Sequence, residues 1–90
     1  MRKYLLIRFN IVHLEAEDLA SVLDFIIHKE NISVEPLNDG HRVLLNGRPM
    51  NPSYGSSFTA RGAMRDFVKC YRKKHPQISS YKIYEVVGNE

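Results

Sequence analysis

The sequence predicts an α+β fold in which two amphipathic helices lie on one face of an antiparallel sheet. Three observations predict it: apolar residues alternate near both ends of the chain, they follow helical spacing in two longer segments, and two hairpin signals separate short apolar runs between those segments. The chain has 90 residues, of which 43% are hydrophobic, and this is enough to bury a core without metals or disulfides. We therefore expect a single domain over residues 1–90.

Strand-type alternation begins the chain, over residues 4–12. One side of this segment is wholly apolar and consists of Leu5, Ile7, Phe9 and Ile11. Tyr4 and Arg8 project from the other side, so the segment is predicted to be a central strand with its apolar side toward the core. The apolar run is too short for a membrane span and lacks a small-residue cleavage site, so we expect neither a membrane anchor nor a signal peptide.

Helical spacing follows, from about residue 14 to residue 30. Glu15, Glu17 and Asp18 fall in the expected first turn, where the helix dipole favours negative charge. The segment is therefore predicted to be an acidic amphipathic helix.

Short apolar runs and turn signals fill the middle of the chain. Residues 32–37 and 41–45 are predicted to be strands joined by a turn at Asp39-Gly40. Asn46-Gly47 repeats the hairpin signal. Residues 48–50 can then form an extra short strand before a loop that leads into the second helix.

The second helix is predicted from about residue 60 to residue 75, with Pro76 just beyond it, and the last strand covers residues 81–87. The resulting βαββαβ order is that of a ferredoxin-like sandwich. The predicted core consists of Leu5, Ile7, Phe9, Leu19, Val22, Ile26, Val43, Leu45, Met64, Phe67, Tyr71 and Ile83.

The second helix carries its cations on one face, opposite its apolar residues. At about 100° per residue the cationic face contains Arg61, Arg65, Lys69, Arg72 and Lys73. Such a face suits an anionic partner, either an acidic protein surface or nucleic acid phosphates. The alternative is a helix face that is rich in lysine and arginine because water solvates it well.

A smaller candidate site lies in the loop at the amino end of this helix. Ser56, Ser57 and Thr59 place hydroxyl groups beside free backbone N–H groups and Arg61, where an anion could bind. The alternative is that Thr59 or Ser57 simply caps the helix. A small hydrolase built around residues 56–61 is the corresponding enzymatic alternative.

Other catalytic and metal-binding patterns are missing from the sequence. The four histidines have no partner at metal-ligand spacing, and Cys70 is expected to be a half-buried, inert thiol. We therefore expect no metal, no cofactor and no enzymatic activity.

The order of elements resembles that of the RNA-recognition motif, a family that stacks bases on aromatic residues of its sheet. Residues 41–47 contain no aromatic residue at the place of the third strand, which argues against this use of the sheet. The acylphosphatase family shares the fold and binds phosphate in a glycine-rich loop after its first strand. No glycine lies between Asn10 and Leu19, so that loop has no counterpart here.

The second half of the chain resembles small accessory proteins encoded by bacteriophages. The resemblance covers about residues 41–87 and rests on the runs 46–50, 56–63 and 81–86 together with the basic helix. It implies a non-enzymatic protein of the host cytoplasm that acts as an inhibitor or adaptor by binding a host protein or nucleic acid. The polarity between an acidic first helix and a basic second helix also leaves a homodimer open.

Overall fold

The computed structural model describes residues 2–88, apart from the side chain of residue 52. The helices and strands are β1 (Arg2–Arg8), β2 (Ile11–Ala16), α1 (Leu19–Lys29), β3 (Ile32–Leu37), β4 (Gly40–Leu45), β5 (Arg48–Gly55), α2 (Ala60–Tyr71), a 3-10 turn (Arg72–Lys74) and β6 (Lys82–Val87). The α+β class is confirmed, and so is the extra strand after Asn46-Gly47. None of the helices in the described residues is long and apolar enough to cross a bilayer.

The strands form two antiparallel sheets of three strands each. We call them the terminal sheet, in the order β2-β1-β6, and the middle sheet, in the order β3-β4-β5. The prediction of one ferredoxin-like sheet is therefore wrong. A strand has only two edges, and β1 uses both of them for β2 and β6, so no edge is left for a strand of the middle segment.

The difference begins at a tight hairpin within residues 4–12, which were predicted to form one continuous strand. Phe9 and Asn10 have φ angles of 53° and 64°, and Arg8 lies directly opposite Ile11. Positive φ at both turn residues is the mark of a type I′ hairpin, whose usual sequence is Asn-Gly. A phenylalanine at the first turn position is unusual, and the apolar alternation continues through the turn.

The faces of β1 are also the reverse of the prediction. Leu6 is completely buried, whereas Leu5 and Ile7 are half-buried on the opposite side of the sheet. Tyr4 packs against the core instead of lying on an exposed surface. Because side chains alternate with a period of two, a shift of one residue exchanges the two faces of a strand. The buried side also carries Arg8, which donates hydrogen bonds to Ser80 and Tyr81, so its charge wrongly indicated an exposed face.

The first helix is shorter than predicted, because residues 11–16 belong to β2. Asp18 caps it by accepting a hydrogen bond of 2.7 Å from the backbone N–H of Ser21. Glu15 lies in β2 and Glu17 in the following bend, so placing them in the first helical turn was wrong. α1 buries Val22, Leu23 and Ile26.

The turns of the middle sheet agree with the prediction in one case and differ by one residue in the other. Asn46 and Gly47 have φ angles of 52° and 82°, as the hairpin signal predicted. The preceding turn consists of residues 38 and 39, and Gly40 is the first residue of β4. A Cβ at Gly40 would overlap the carbonyl oxygen of Tyr54. This glycine is therefore required by the close approach of β5, which extends to residue 55 and not only to residue 50.

One buried cluster joins both sheets and both helices. It consists of Leu6, Val22, Leu23, Ile26, Ile32, Val43, Leu45, Tyr54, Ala63, Phe67, Val68, Ile78 and Tyr81. Among the predicted core residues, Phe9 is 72% exposed, because it occupies the β1–β2 turn. Leu19, Met64, Tyr71 and Ile83 are partly buried at the edge of the cluster. Ile78 and Tyr81 were not predicted, and they come from the segment between the 3-10 turn and β6.

Candidate anion-binding site

The second helix is positioned by a cap at its start and a buried stripe along its length. The Thr59 hydroxyl accepts a hydrogen bond of 2.9 Å from the backbone N–H of Gly62. Ala63, Phe67 and Val68 are completely buried. The Phe67 ring stacks on Tyr71 with 6.0 Å between the ring centroids. The predicted amphipathic helix is thus present, and its cations lie on the side away from the core.

The loop before this helix contains little that could hold an anion. Thr59 uses its hydroxyl as the helix cap, which is the alternative interpretation of this site. Ser56 and Ser57 are exposed, and neither side chain forms a hydrogen bond with another described residue. No base therefore contacts a serine nucleophile in this part of the structure, as a small hydrolase would need.

Asp24 of α1 forms ion pairs with part of the cationic face of α2. Arg65 donates two hydrogen bonds to this carboxylate, from Nε to Oδ1 at 2.8 Å and from Nη2 to Oδ2 at 2.7 Å. Arg61 Nη1 lies 3.4 Å from Oδ2 of the same carboxylate. The hydrogen bond from Arg65 is the main reason that the pKa of Asp24 is lowered, and the same contact raises the pKa of Arg65. Two of the five predicted cations therefore already have an intramolecular anion.

The other three predicted cations lie farther along the chain and lack such a carboxylate. Lys69 and Lys73 are exposed, and no ion pair involves either of them within the described residues. Arg72 is half-buried in the 3-10 turn. Its Nη1 donates one long hydrogen bond, 3.4 Å, to the carbonyl oxygen of Val68, and its Nε is buried with no partner among the described residues. Burial lowers the pKa of Arg72, because the charged guanidinium has lost part of its hydration.

Arg72 and Lys73 border a cleft of about 230 Å³ between the 3-10 turn and β6, which we call the basic cleft. Its lining consists of Arg72, Lys73, Ser79, Tyr81, Lys82, Ile83 and Tyr84. The lining includes three cations and three hydroxyl groups but no carboxylate. Lys82 and Tyr84 were not predicted as site residues, because nothing in their local sequence indicates that β6 runs beside the end of α2.

A network of partly buried polar contacts fixes the wall of the basic cleft where β6 begins. The Tyr81 hydroxyl donates a hydrogen bond of 2.6 Å to Glu30 and accepts one of 3.0 Å from Arg8 Nη1. Arg8 Nε donates to the Ser80 hydroxyl at 2.9 Å, and its guanidinium carbon lies 4.4 Å from the centroid of the Tyr81 ring. Burial and the bond to Glu30 raise the pKa of Tyr81 to about 12. Tyr81 therefore stays neutral and joins β1, α1 and the start of β6.

Cys70 differs from the prediction, since it is exposed and not half-buried. Its thiol lies 3.6 Å from Oδ1 of Asp66 and acts as the donor. Partial desolvation and the Asp66 carboxylate raise its pKa, which disfavours the reactive thiolate. Within residues 2–88, no cluster of three or more histidine, cysteine, aspartate or glutamate side chains has an arrangement that could hold a metal ion.

No protein-family model matches the chain, and neither the curated proteins nor the solved structures contain a significant match.

Proposed function

We propose that the chain is a non-enzymatic binding protein that engages an anionic partner through the basic cleft and the neighbouring Lys69 of α2. The proposal rests on the observation that carboxylates pair with only one part of the cationic face. Asp24 pairs with Arg65 and Arg61, whereas Arg72, Lys73 and Lys82 line a cleft without a carboxylate. The binding site is thus the carboxyl-terminal part of the predicted face, extended by Lys82.

Arg72 gives the basic cleft a preference for an anion that presents acceptor oxygens. Its guanidinium is half-buried and makes only one long hydrogen bond. A carboxylate or phosphate in the cleft would accept hydrogen bonds from it in a partly desolvated place, where charge-assisted bonds are stronger than at an open surface. Lys73 and Lys82 would supply further positive charge without a fixed geometry.

An acidic protein surface is the partner that we favour, and nucleic acid is the second candidate. The resemblance to small phage accessory proteins supports binding to a host protein, as an inhibitor or adaptor. The basic cleft supports nucleic acid only in part, because Tyr84 is its one strongly exposed aromatic ring. Tight binding of single strands usually needs several stacking aromatics among the cations.

Affinity capture from a bacterial lysate tests the proposal with two matched double variants. Lys73→Gln with Lys82→Gln removes two charges at the basic cleft, and Arg61→Gln with Arg48→Gln removes two charges elsewhere. We expect the first variant to lose the captured partner and the second to retain it. Nuclease treatment before elution separates a protein partner from nucleic acid. Equal capture by both variants would show that the basic cleft is not the binding site.

A further inference from the structure

The four edge strands of the two sheets differ in how well they are protected against pairing with another chain. β5 contains Pro49 and Pro52, and a proline cannot donate a backbone hydrogen bond. β3 contains Pro36 and packs against both helices. The pairing of β1 with β2 is irregular at a bulge, and α1 contacts β2. Prolines, bulges, charged side chains and covering helices are the usual ways in which proteins protect an edge.

Of these protections β6 has only two charged side chains among the described residues, Lys82 and Glu85. It pairs with β1 in regular register along one edge, and it contains neither a proline nor a bulge. Six residues give an open edge of about 20 Å at 3.4 Å per residue. The unpaired N–H and C=O groups of such an edge are a template for a further strand.

The side chains along this strand are cationic at its start and mostly apolar toward its end, apart from Glu85, which lies 3.4 Å from Arg2 Nε. Lys82 at the start of β6 belongs to the basic cleft, and Tyr84 in the middle is 52% exposed. Val86 and Val87 at the end are 44% and 63% exposed. Tyr84 lies opposite Leu5 on the side of the sheet away from the core, so the apolar surface continues onto β1.

We infer that β6 binds an extended segment of a partner protein as an additional strand, with carboxylates of that segment in the basic cleft and apolar side chains over Tyr84 and Val86. The inference rests on the proposed function and specifies its partner. Antiparallel pairing, which is the slightly more stable type, places the carboxyl end of the segment beside Lys82. The acidic residues are therefore expected at that end, and the apolar residues before them.

Synthetic peptides test this inference without knowledge of the natural partner. The first probe is an acetylated octapeptide of alternating valine and threonine that ends in two glutamates. The second has the two glutamates at its amino end. Two further probes carry N-methyl groups on one or the other alternate set of backbone amides, since only one set faces β6. A duplex DNA of 20 base pairs completes the set.

Amide chemical shifts and fluorescence anisotropy at about 0.15 M salt report binding to the protein. We expect the first peptide to shift the amide signals of β6 and to bind at least about tenfold more tightly than the second peptide. One N-methylated peptide should lose binding by a similar factor and the other should keep it. Lys82→Glu should weaken the first peptide about tenfold, whereas Arg48→Glu, on the middle sheet, should leave it unchanged.

The outcomes separate this inference from the function on which it rests. If both N-methylated peptides bind as well as the parent and Lys82→Glu still weakens them, the basic cleft binds carboxylates but strand pairing is overturned. If the DNA binds more tightly than the peptides and Lys82→Glu weakens that binding, the partner is anionic but is not a protein segment. If the protein forms a homodimer through β6 and the first peptide does not dissociate it, a second copy of the chain occupies the edge in place of a partner segment. If no probe binds at about 1 mM, the inference is overturned. If, in addition, both double variants capture the partner equally from the lysate, the proposed function is overturned as well.

Discussion

Replacing Asp24 by asparagine is the most informative single change, because this carboxylate joins α1 to two arginines of α2. The variant keeps the size of the side chain and one hydrogen-bond acceptor but removes the charge. Arg65 contacts Asp24 through two short bonds, and the side chains are 35% and 30% exposed. Exposed ion pairs contribute about 0.2 to 1 kcal/mol, and the bidentate geometry places this pair near the upper end.

We therefore expect Asp24→Asn to lower the free energy of unfolding by about 1 kcal/mol at pH 7. For a domain of this size that corresponds to a decrease of roughly 4–8 °C in the melting temperature. Asp39→Asn is the matched control, because it removes the same charge from a turn where no ion pair or side-chain hydrogen bond involves Asp39 in the described structure. Thermal melting followed by circular dichroism measures both variants.

The pH dependence gives this prediction a second test. The pKa of Asp24 is lowered in the folded protein, mainly by its hydrogen bond with Arg65. Its stabilising effect is therefore complete above the ordinary aspartate value of 3.8 and is lost as the pH falls through the lower folded value. The wild type and Asp24→Asn should differ at pH 7 and converge toward pH 2. Equal melting at pH 7, or a difference that persists undiminished in acid, would refute the role assigned to this ion pair.

Three further predictions concern closely packed residues. Tyr81→Phe should cost about 1–3 kcal/mol, because Glu30 loses a short hydrogen bond; the raised pKa of Tyr81 implies stability that is complete below pH 10 and lost as the pH rises through about 12, so the stabilities of the wild type and the variant should converge at alkaline pH. Gly40→Ala should lower the chemical-denaturation midpoint strongly, since its Cβ would overlap the Tyr54 carbonyl, whereas Gly55→Ala meets no atom within 4 Å and should be tolerated. Phe67→Ala should cost about 3–5 kcal/mol in the same assay, and a loss under about 1 kcal/mol would contradict its complete burial.

Local signals in the sequence predicted local structure well. Thr59 as a helix cap and Asn46-Gly47 as a hairpin turn each depend on a few neighbouring residues, and both are present. The hairpin at Phe9-Asn10 was missed because a phenylalanine with positive φ is uncommon and because apolar residues alternate on both sides of the turn. Because this hairpin was missed, the predicted sheet topology was also wrong, since β2 occupies the edge of β1 that a single sheet would need.

The candidate site was predicted as a helix face, but its boundaries depend on contacts between distant segments. Helical spacing separates the five cations from the buried stripe of α2, although Arg65 and Arg72 are half-buried. It cannot indicate that Asp24, 41 residues before Arg65, lies on the adjacent helix. It also cannot indicate that Lys82 joins Arg72 across the basic cleft. Both facts follow from how the helices and β6 pack together.

Two carboxylates, one on α1 and one at its carboxyl-terminal cap, contact other elements and therefore also bear on self-association. Asp24 pairs with Arg65 of α2, and Glu30 accepts the hydrogen bond from Tyr81 at the start of β6 and lies 3.5 Å from Arg8. These acidic groups are therefore engaged within the chain and contribute less to a head-to-tail contact with the basic helix of another copy. The cations without an intramolecular carboxylate lie at the far end of α2 and on β6. A partner that brings its own carboxylates or phosphates to that end neutralises more charge than a second copy could through α1.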